Sequence, residues 1–304
     1  MIAASFLALA AMASAPASTP ATATSGAVVA AARALAGAEC RPPKDSSEAK
    51  LLAFFAAPIA FSPAGNAGLL APGAVRLSFD LTYVPTPGAD IRRASFCQRK
   101  SENTELSPVF PRPRLAVGLP GGFFLEGSYL PPITVLDATP NLGSLALGWS
   151  RALGTSVAGS GAWVTLRGHA TFGKVTGPIT CSADAIQSTN PSAVCYGDEP
   201  SDDSYYPNMI GGEGIVGWTG SGRLSAYIGG GYTSIRPRFD VNFRSLSGTV
   251  DNTRVALDDS RIAAFAGARV RLSPRTALTA ELYSVPRDVT TIRMGGSFAL
   301  RPGR

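Results

Sequence analysis

Val75-Arg76-Leu77-Ser78-Phe79-Asp80-Leu81-Thr82-Tyr83 alternates apolar and polar residues without a break. In an extended chain successive side chains point to opposite faces. Val75, Leu77, Phe79, Leu81 and Tyr83 therefore share one face, and Arg76, Ser78, Asp80 and Thr82 share the other. The stretch is a strand with one apolar and one polar surface.

The same alternation returns until Leu300. It predicts strands at 74–84, 112–119, 122–131, 143–153, 160–174, 208–219, 222–236, 260–272, 275–285 and 289–300. The links between them alternate in length. Residues 85–111, 175–207 and 237–259 are long and 132–142 is intermediate, whereas 120–121, 154–159, 220–221 and 273–274 are short. Only 286–288 is short where the alternation wants a long link. Long connections on one side, short turns on the other and an even strand count are the pattern of a membrane-spanning β-barrel. The pattern also puts both ends of the barrel, the start of its first strand and the end of its last, on the short-turn side.

Side-chain parity agrees. One face carries Leu145, Leu147 and Trp149; Leu166 and Phe172; Leu224, Ile228 and Tyr232; Ile262 and Val270; Leu278 and Leu282; Ile292, Met294 and Phe298. The opposite face carries most of the charges, Arg151 and Lys174 near predicted connections being the exceptions, and a charge facing lipid at mid-membrane costs roughly 2–4 kcal/mol. The predicted lumen lining is Arg76, Asp80, Arg114, Glu126, Arg167, His169, Glu213, Arg223, Arg269, Arg271, Glu281 and Arg293. Tyr83, Tyr129, Trp149, Trp218 and Tyr232 fall near strand ends, where an aromatic girdle sits.

Composition narrows the functional classes. Charged residues are 16% and apolar residues 45% of the 304, yet outside the leader no apolar run approaches the roughly 20 residues of a membrane helix. The net charge of +6 comes from arginines scattered singly through strands, which excludes a nucleic-acid-binding reading. Residues 1–20 read as a signal peptide, with an apolar Ala3–Ala13 run and small-residue cleavage sites near Ala15 and Ala17, although no Lys or Arg precedes the run. Residues 21–72 form a separate N-terminal segment. Ala27–Ala38 favours helix, and Ser46-Ser47-Glu48 offers an N-cap for Ala49–Ala57. This segment is a helical cap, a plug or a tail, and residues 73–304 are the barrel.

Export fits the four cysteines. Cys181 and Cys195 bracket a polar loop and are expected to pair, leaving Cys40 and Cys97 for each other. With His169 the sole histidine, zinc is not expected. Asp198, Glu199, Asp202 and Asp203 read as a solvated acidic loop rather than a cation site. Gly211-Gly212-Glu213-Gly214 and Gly229-Gly230-Gly231 read as strand glycines that permit close packing, not as phosphate loops.

The leader, alternating strands, loop asymmetry and closing strand Thr290–Leu300 together resemble bacterial outer-membrane β-barrel proteins. The resemblance also extends to barrels that carry small solutes or hydrophobic compounds, which have an N-terminal segment ahead of the barrel. It implies an all-β, closed, antiparallel transmembrane barrel of about ten strands (8–12) in the outer membrane. It further implies a monomer contacting outer-membrane lipid and the barrel-assembly machinery, which commonly reads an aromatic at the end of the last strand. Here that strand ends with Arg301-Pro302-Gly303-Arg304 beyond Phe298. No cofactor, metal or catalytic residue is expected, and His169 is read as structural. The expected function is a narrow passage for a small solute through an arginine-lined lumen. The alternatives are an adhesive or structural surface barrel acting through loop 175–207, or a hydrolase centred on His169.

Overall fold

The computed structural model describes residues 39–65, 68–93, 96–97, 109–135, 137–157, 160–220 and 223–301. The signal peptide reading and the Ala27–Ala38 helix lie outside these residues.

Ten antiparallel strands close into a ring. They are β1 (Val75–Tyr83), β2 (Val109–Gly118), β3 (Phe123–Leu130), β4 (Thr139–Val157), β5 (Ser160–Gly177), β6 (Met209–Thr219), β7 (Leu224–Ile235), β8 (Asp259–Arg271), β9 (Thr276–Val285) and β10 (Val289–Arg301). Closure comes from β10 on β1, with Phe79 opposite Gly296 and Asp80 opposite Gly295. A closed ring leaves no unpaired edge for hydrocarbon, where an unsatisfied backbone group costs several kcal/mol. The predicted strands are all present. The main adjustment is that β4 and β5 extend through most of the expected link 154–159, with Val157 opposite Ser160.

The apolar parity faces outward. Leu77, Phe79 and Leu81 on β1, Leu145 and Leu147 on β4, Ile228 on β7, Ile262 on β8 and Met294 on β10 are exposed. Tyr83, Tyr129 and Tyr232 lie towards the long connections and Trp218 towards the short turns, giving an aromatic residue near each rim of the belt. This exterior suits lipid, and the chain is an outer-membrane-type β-barrel.

β2 is irregular for a stated reason. Pro111 and Pro113 have no N–H to give, and β2 pairs with β3 only from Leu115 to Gly118, while its pairing with β1 continues to Val109.

The long connections build a cap. The end of β5 pairs with Asp203–Tyr206, which pairs with Arg238–Asp240, and this in turn pairs with Arg254–Ala256. Glu39–Cys40 adds in parallel to Arg254–Ala256. Both expected disulfides are present, Cys40–Cys97 and Cys181–Cys195. The acidic loop departs from expectation at one residue. Asp203 is buried rather than solvated, because its carboxylate accepts from Thr180 N (2.7 Å), Thr180 Oγ1 (2.8 Å), Ser201 Oγ (2.8 Å) and Asn242 N (2.9 Å). Asp203→Ala should strip these charge-assisted bonds at a cost of about 2 kcal/mol or more. Faster hydrogen exchange and proteolysis of the 178–207 loop, with the barrel's gel mobility unchanged, would report it.

The N-terminal segment is where expectation and structure part. Helix α1 (Ser47–Ile59) starts at the predicted cap, with Ser46 Oγ accepting from Ala49 N at 3.2 Å. Its alanine face, Ala53, Ala56 and Ala57, packs beside Met209, Ile235, Ala263 and Val285 inside the outer half of the barrel. Glu48 in the first turn accepts from Cys97 N at 2.9 Å and anchors the helix beside the Cys40–Cys97 bridge. Beyond Pro58 the chain runs through the lumen to Gly65 and reaches β1 from the short-turn side. Glu39 therefore lies with the long connections, whereas Arg301 lies at the short-turn end. The barrel's own ends, Val75 of β1 and Arg301 of β10, share the short-turn side as expected, while residues 57–65 cross the lumen before the first strand and carry Glu39 to the opposite side.

Candidate functional site: a bonded lumen and an arginine mouth

The polar parity delivers charged side chains from several strands into one layer. Asp80 comes from β1, Arg112 and Arg114 from β2, and Glu126 from β3. Arg167 and His169 come from β5, Glu213 from β6, Glu281 from β9 and Arg293 from β10. All are buried. Arg114 pairs with Asp80 and, at 3.2 Å, with Glu126. Glu126 also meets Arg167 at 3.1 Å, and Arg167 meets Glu213 at 2.9 Å. Four guanidinium groups (Arg112, Arg114, Arg167, Arg293) thus share the layer with four carboxylates (Asp80, Glu126, Glu213, Glu281). Buried charges are tolerable only when paired and hydrogen-bonded in this way.

Other donors of these arginines bind the chain's own threaded segment, while the Nε atoms of Arg112, Arg167 and Arg293 find no hydrogen-bond partner among the described residues. Arg112 donates to Ile59 O (2.6 Å) and Ala60 O (2.9 Å), and Arg114 donates to Ser62 O (2.6 Å). Arg167 donates to Phe61 O. Arg293 donates to Ala60 O (3.0 Å), Ala57 O (3.1 Å) and Ser62 Oγ. Glu281 accepts from Ser62 Oγ and from Ala64 N at 2.9 Å, and the Tyr227 hydroxyl reaches both Glu281 (2.7 Å) and Gly65 N (2.9 Å). Phe61 sits among the cations, its ring centre 4.6 Å from the Arg114 guanidinium carbon and 4.8 Å from that of Arg167.

His169 Nε2 lies 3.6 Å from Glu213 Oε1, too far for a hydrogen bond. It packs over the β6 backbone, where a Cβ on Gly211 would come within 2.7 Å of it. Gly217 likewise lies under Trp163, at 2.1 Å from where its Cβ would be. These glycines let inward-pointing rings lie flat on the neighbouring strand. Gly217→Val should lower the barrel's thermal midpoint by several degrees, measured by the loss of its compact band on a heated gel series.

Of the predicted lining, Arg76, Asp80, Arg114, Glu126, Arg167, His169, Glu213, Glu281 and Arg293 are buried. Arg269 is half-buried and Arg223 and Arg271 are exposed, all three at the short-turn mouth. Arg112 was not singled out from sequence, although it shares the parity of Arg114 two residues on. Phe61 and Ser62 carried no signal beyond their place between Pro58 and Pro63.

No protein-family model matches the chain, and no match was found among curated proteins. Among solved structures, the attachment invasion locus protein Ail of Yersinia pestis aligns at 11% identity with a TM-score of 0.29, over 76% of this chain and 99% of that one. Neisserial surface protein A aligns at 11% identity and a TM-score of 0.28, over 74% of this chain and 98% of that one. The translocator domain of the autotransporter NalP from Neisseria meningitidis aligns at 12% identity and a TM-score of 0.35, covering 77% and 89%. At such scores the likenesses carry no argument, and the architecture rests on the chain's own strand ladder.

Proposed function

We propose that this chain is a sealed outer-membrane barrel that holds a disulfide-braced cap at the cell surface, and that the cap is its working part. One observation carries this reading. Arg112, Arg114, Arg293, Glu126 and Phe61 are each at most 1% exposed in the middle of the lumen, where a water-filled passage would wet them. The lumen arginines that could have lined a solute path spend their donors on the carbonyls of Ala57, Ile59, Ala60, Phe61 and Ser62. Free passage of a small solute would require that segment to leave.

The cap supports the surface role through its bracing. Two disulfides, a small sheet and the buried Asp203 hold loops that would otherwise be mobile. Val194 within the disulfide loop, and Leu246 and Val250 in the next long connection, are exposed apolar side chains available to a partner.

Planar-bilayer recording and liposome swelling on the refolded full chain test the reading. The expected result is no steady conductance and no sugar flux. Sustained conductance from the unmodified barrel would overturn it and restore the arginine-lined passage.

A further inference from the structure

Below the sealed layer the short-turn mouth has a different character. Arg76 at the start of β1, Arg223 ahead of β7, Arg269 and Arg271 at the end of β8, Arg275 in the next turn and Arg301 at the end of β10 line one cavity of about 420 Å³. Among the described residues no aspartate or glutamate lines it. Among the described residues Arg223, Arg275 and Arg301 make no ion pair, and the Arg269 side chain donates to the neutral Ser297 hydroxyl at 3.3 Å.

The contrast within the molecule is informative. In the lumen, guanidinium and carboxylate groups are equal in number, in the cap Arg41 meets Asp258 and Arg254 meets Asp240, and at the start of β8 Arg261 meets Asp259 and Asp288. At the mouth six arginines line one cavity that no described aspartate or glutamate lines with them, and Arg76 is also drawn to Glu126 in the layer above. Like charges so close oppose one another unless a counter-charge sits between them. The planar guanidinium fork matches the oxygens of phosphate, often with two parallel bonds. The cavity has the volume of a small-ligand pocket, and Trp163 and Tyr227 give it an aromatic floor below Gly65.

We propose that this mouth is a binding site for a phosphate-bearing anion, entering from the short-turn, periplasmic side. The ligand chemistry is shared by a soluble di- or oligophosphate and by the headgroups of anionic phospholipid in the adjoining leaflet. The site is independent of the cap and does not require the lumen to open.

The test uses the full chain refolded in a zwitterionic detergent. In one arm inorganic pyrophosphate is titrated calorimetrically. In the other, the protein in phosphatidylcholine nanodiscs is compared with nanodiscs containing one-fifth phosphatidylglycerol, with headgroup binding read by phosphorus NMR. The variant is Arg223→Gln with Arg275→Gln, both exposed, and its fold is checked by heat-dependent gel mobility. Arg244→Gln in the cap, an exposed arginine remote from the mouth, is the control. Saturable pyrophosphate binding that weakens at least tenfold in the double variant but not in R244Q supports a soluble ligand. Selective phosphatidylglycerol binding that disappears in the double variant, without pyrophosphate binding, supports the lipid. No binding in either arm, or binding equal in the double variant and R244Q, overturns the proposal.

Discussion

Arg114→Met is expected to destabilise the folded barrel by about 3–5 kcal/mol, the range found when one partner of a buried ion pair is removed. The guanidinium holds Asp80 and Glu126 at once, donates to Ser62 O and lies against the Phe61 ring. The methionine would fill similar space but take away that ion pair from Asp80 and one of the ion pairs of Glu126. Equilibrium unfolding in urea, read from the slow-to-fast gel mobility change, measures the loss. The reference is Arg254→Met in the cap, whose partner Asp240 is 30% exposed. An exposed pair of that kind is worth about 0.2–1 kcal/mol. If both variants lose the same small amount, water reaches the lumen layer and the seal is not dry. Asp80→Asn combined with Arg114→Met should recover part of the loss, because it removes the stranded carboxylate with its partner.

Val75–Tyr83 and its counterparts made the barrel legible because lipid and lumen impose opposite demands on alternate residues. That constraint writes itself into side-chain chemistry at every second position. The same parity placed Arg114, Glu126, Arg167 and Glu281 inside, since each stands among apolar neighbours that need lipid. The Cys181–Cys195 bridge was equally readable, its cysteines lying 14 residues apart in one loop. What stayed hidden was bonding that uses the backbone. Ile59-Ala60-Phe61-Ser62 is gripped mainly through carbonyl oxygens, which every sequence possesses, so nothing in the residue types announces a lumen segment. Arg112 was masked by Pro111 and Pro113, which argue against a regularly paired strand and obscure its parity with Arg114. Asp203 read as solvated because Thr180 and Asn242, which give three of its four hydrogen bonds, come from sequence positions far on either side of it.

Deleting residues 39–65, with Cys97→Ser to remove the orphaned thiol, should turn a silent barrel into a conducting one. An eight-stranded barrel is just wide enough for its own side chains to fill it, and two further strands widen it beyond that. Here the surplus width holds α1 above and the extended stretch to Gly65 below, with Phe61 at the centre of the arginine layer. Once that chain is gone, Arg112 and Arg293 lose the carbonyls that hold them across the lumen, and water fills the space. Stepwise currents in planar bilayers are the expected readout, absent from the full chain under the same voltage. Phe61→Ala gives an intermediate test that keeps the segment and both disulfides. It removes a fully buried ring, at a cost of about 3–5 kcal/mol, and should produce brief openings rather than steady current. A deletion variant that folds by gel mobility yet remains silent would mean that wall side chains alone close the lumen. The carbonyl-gripped segment would then be a passenger of the seal and not its cause.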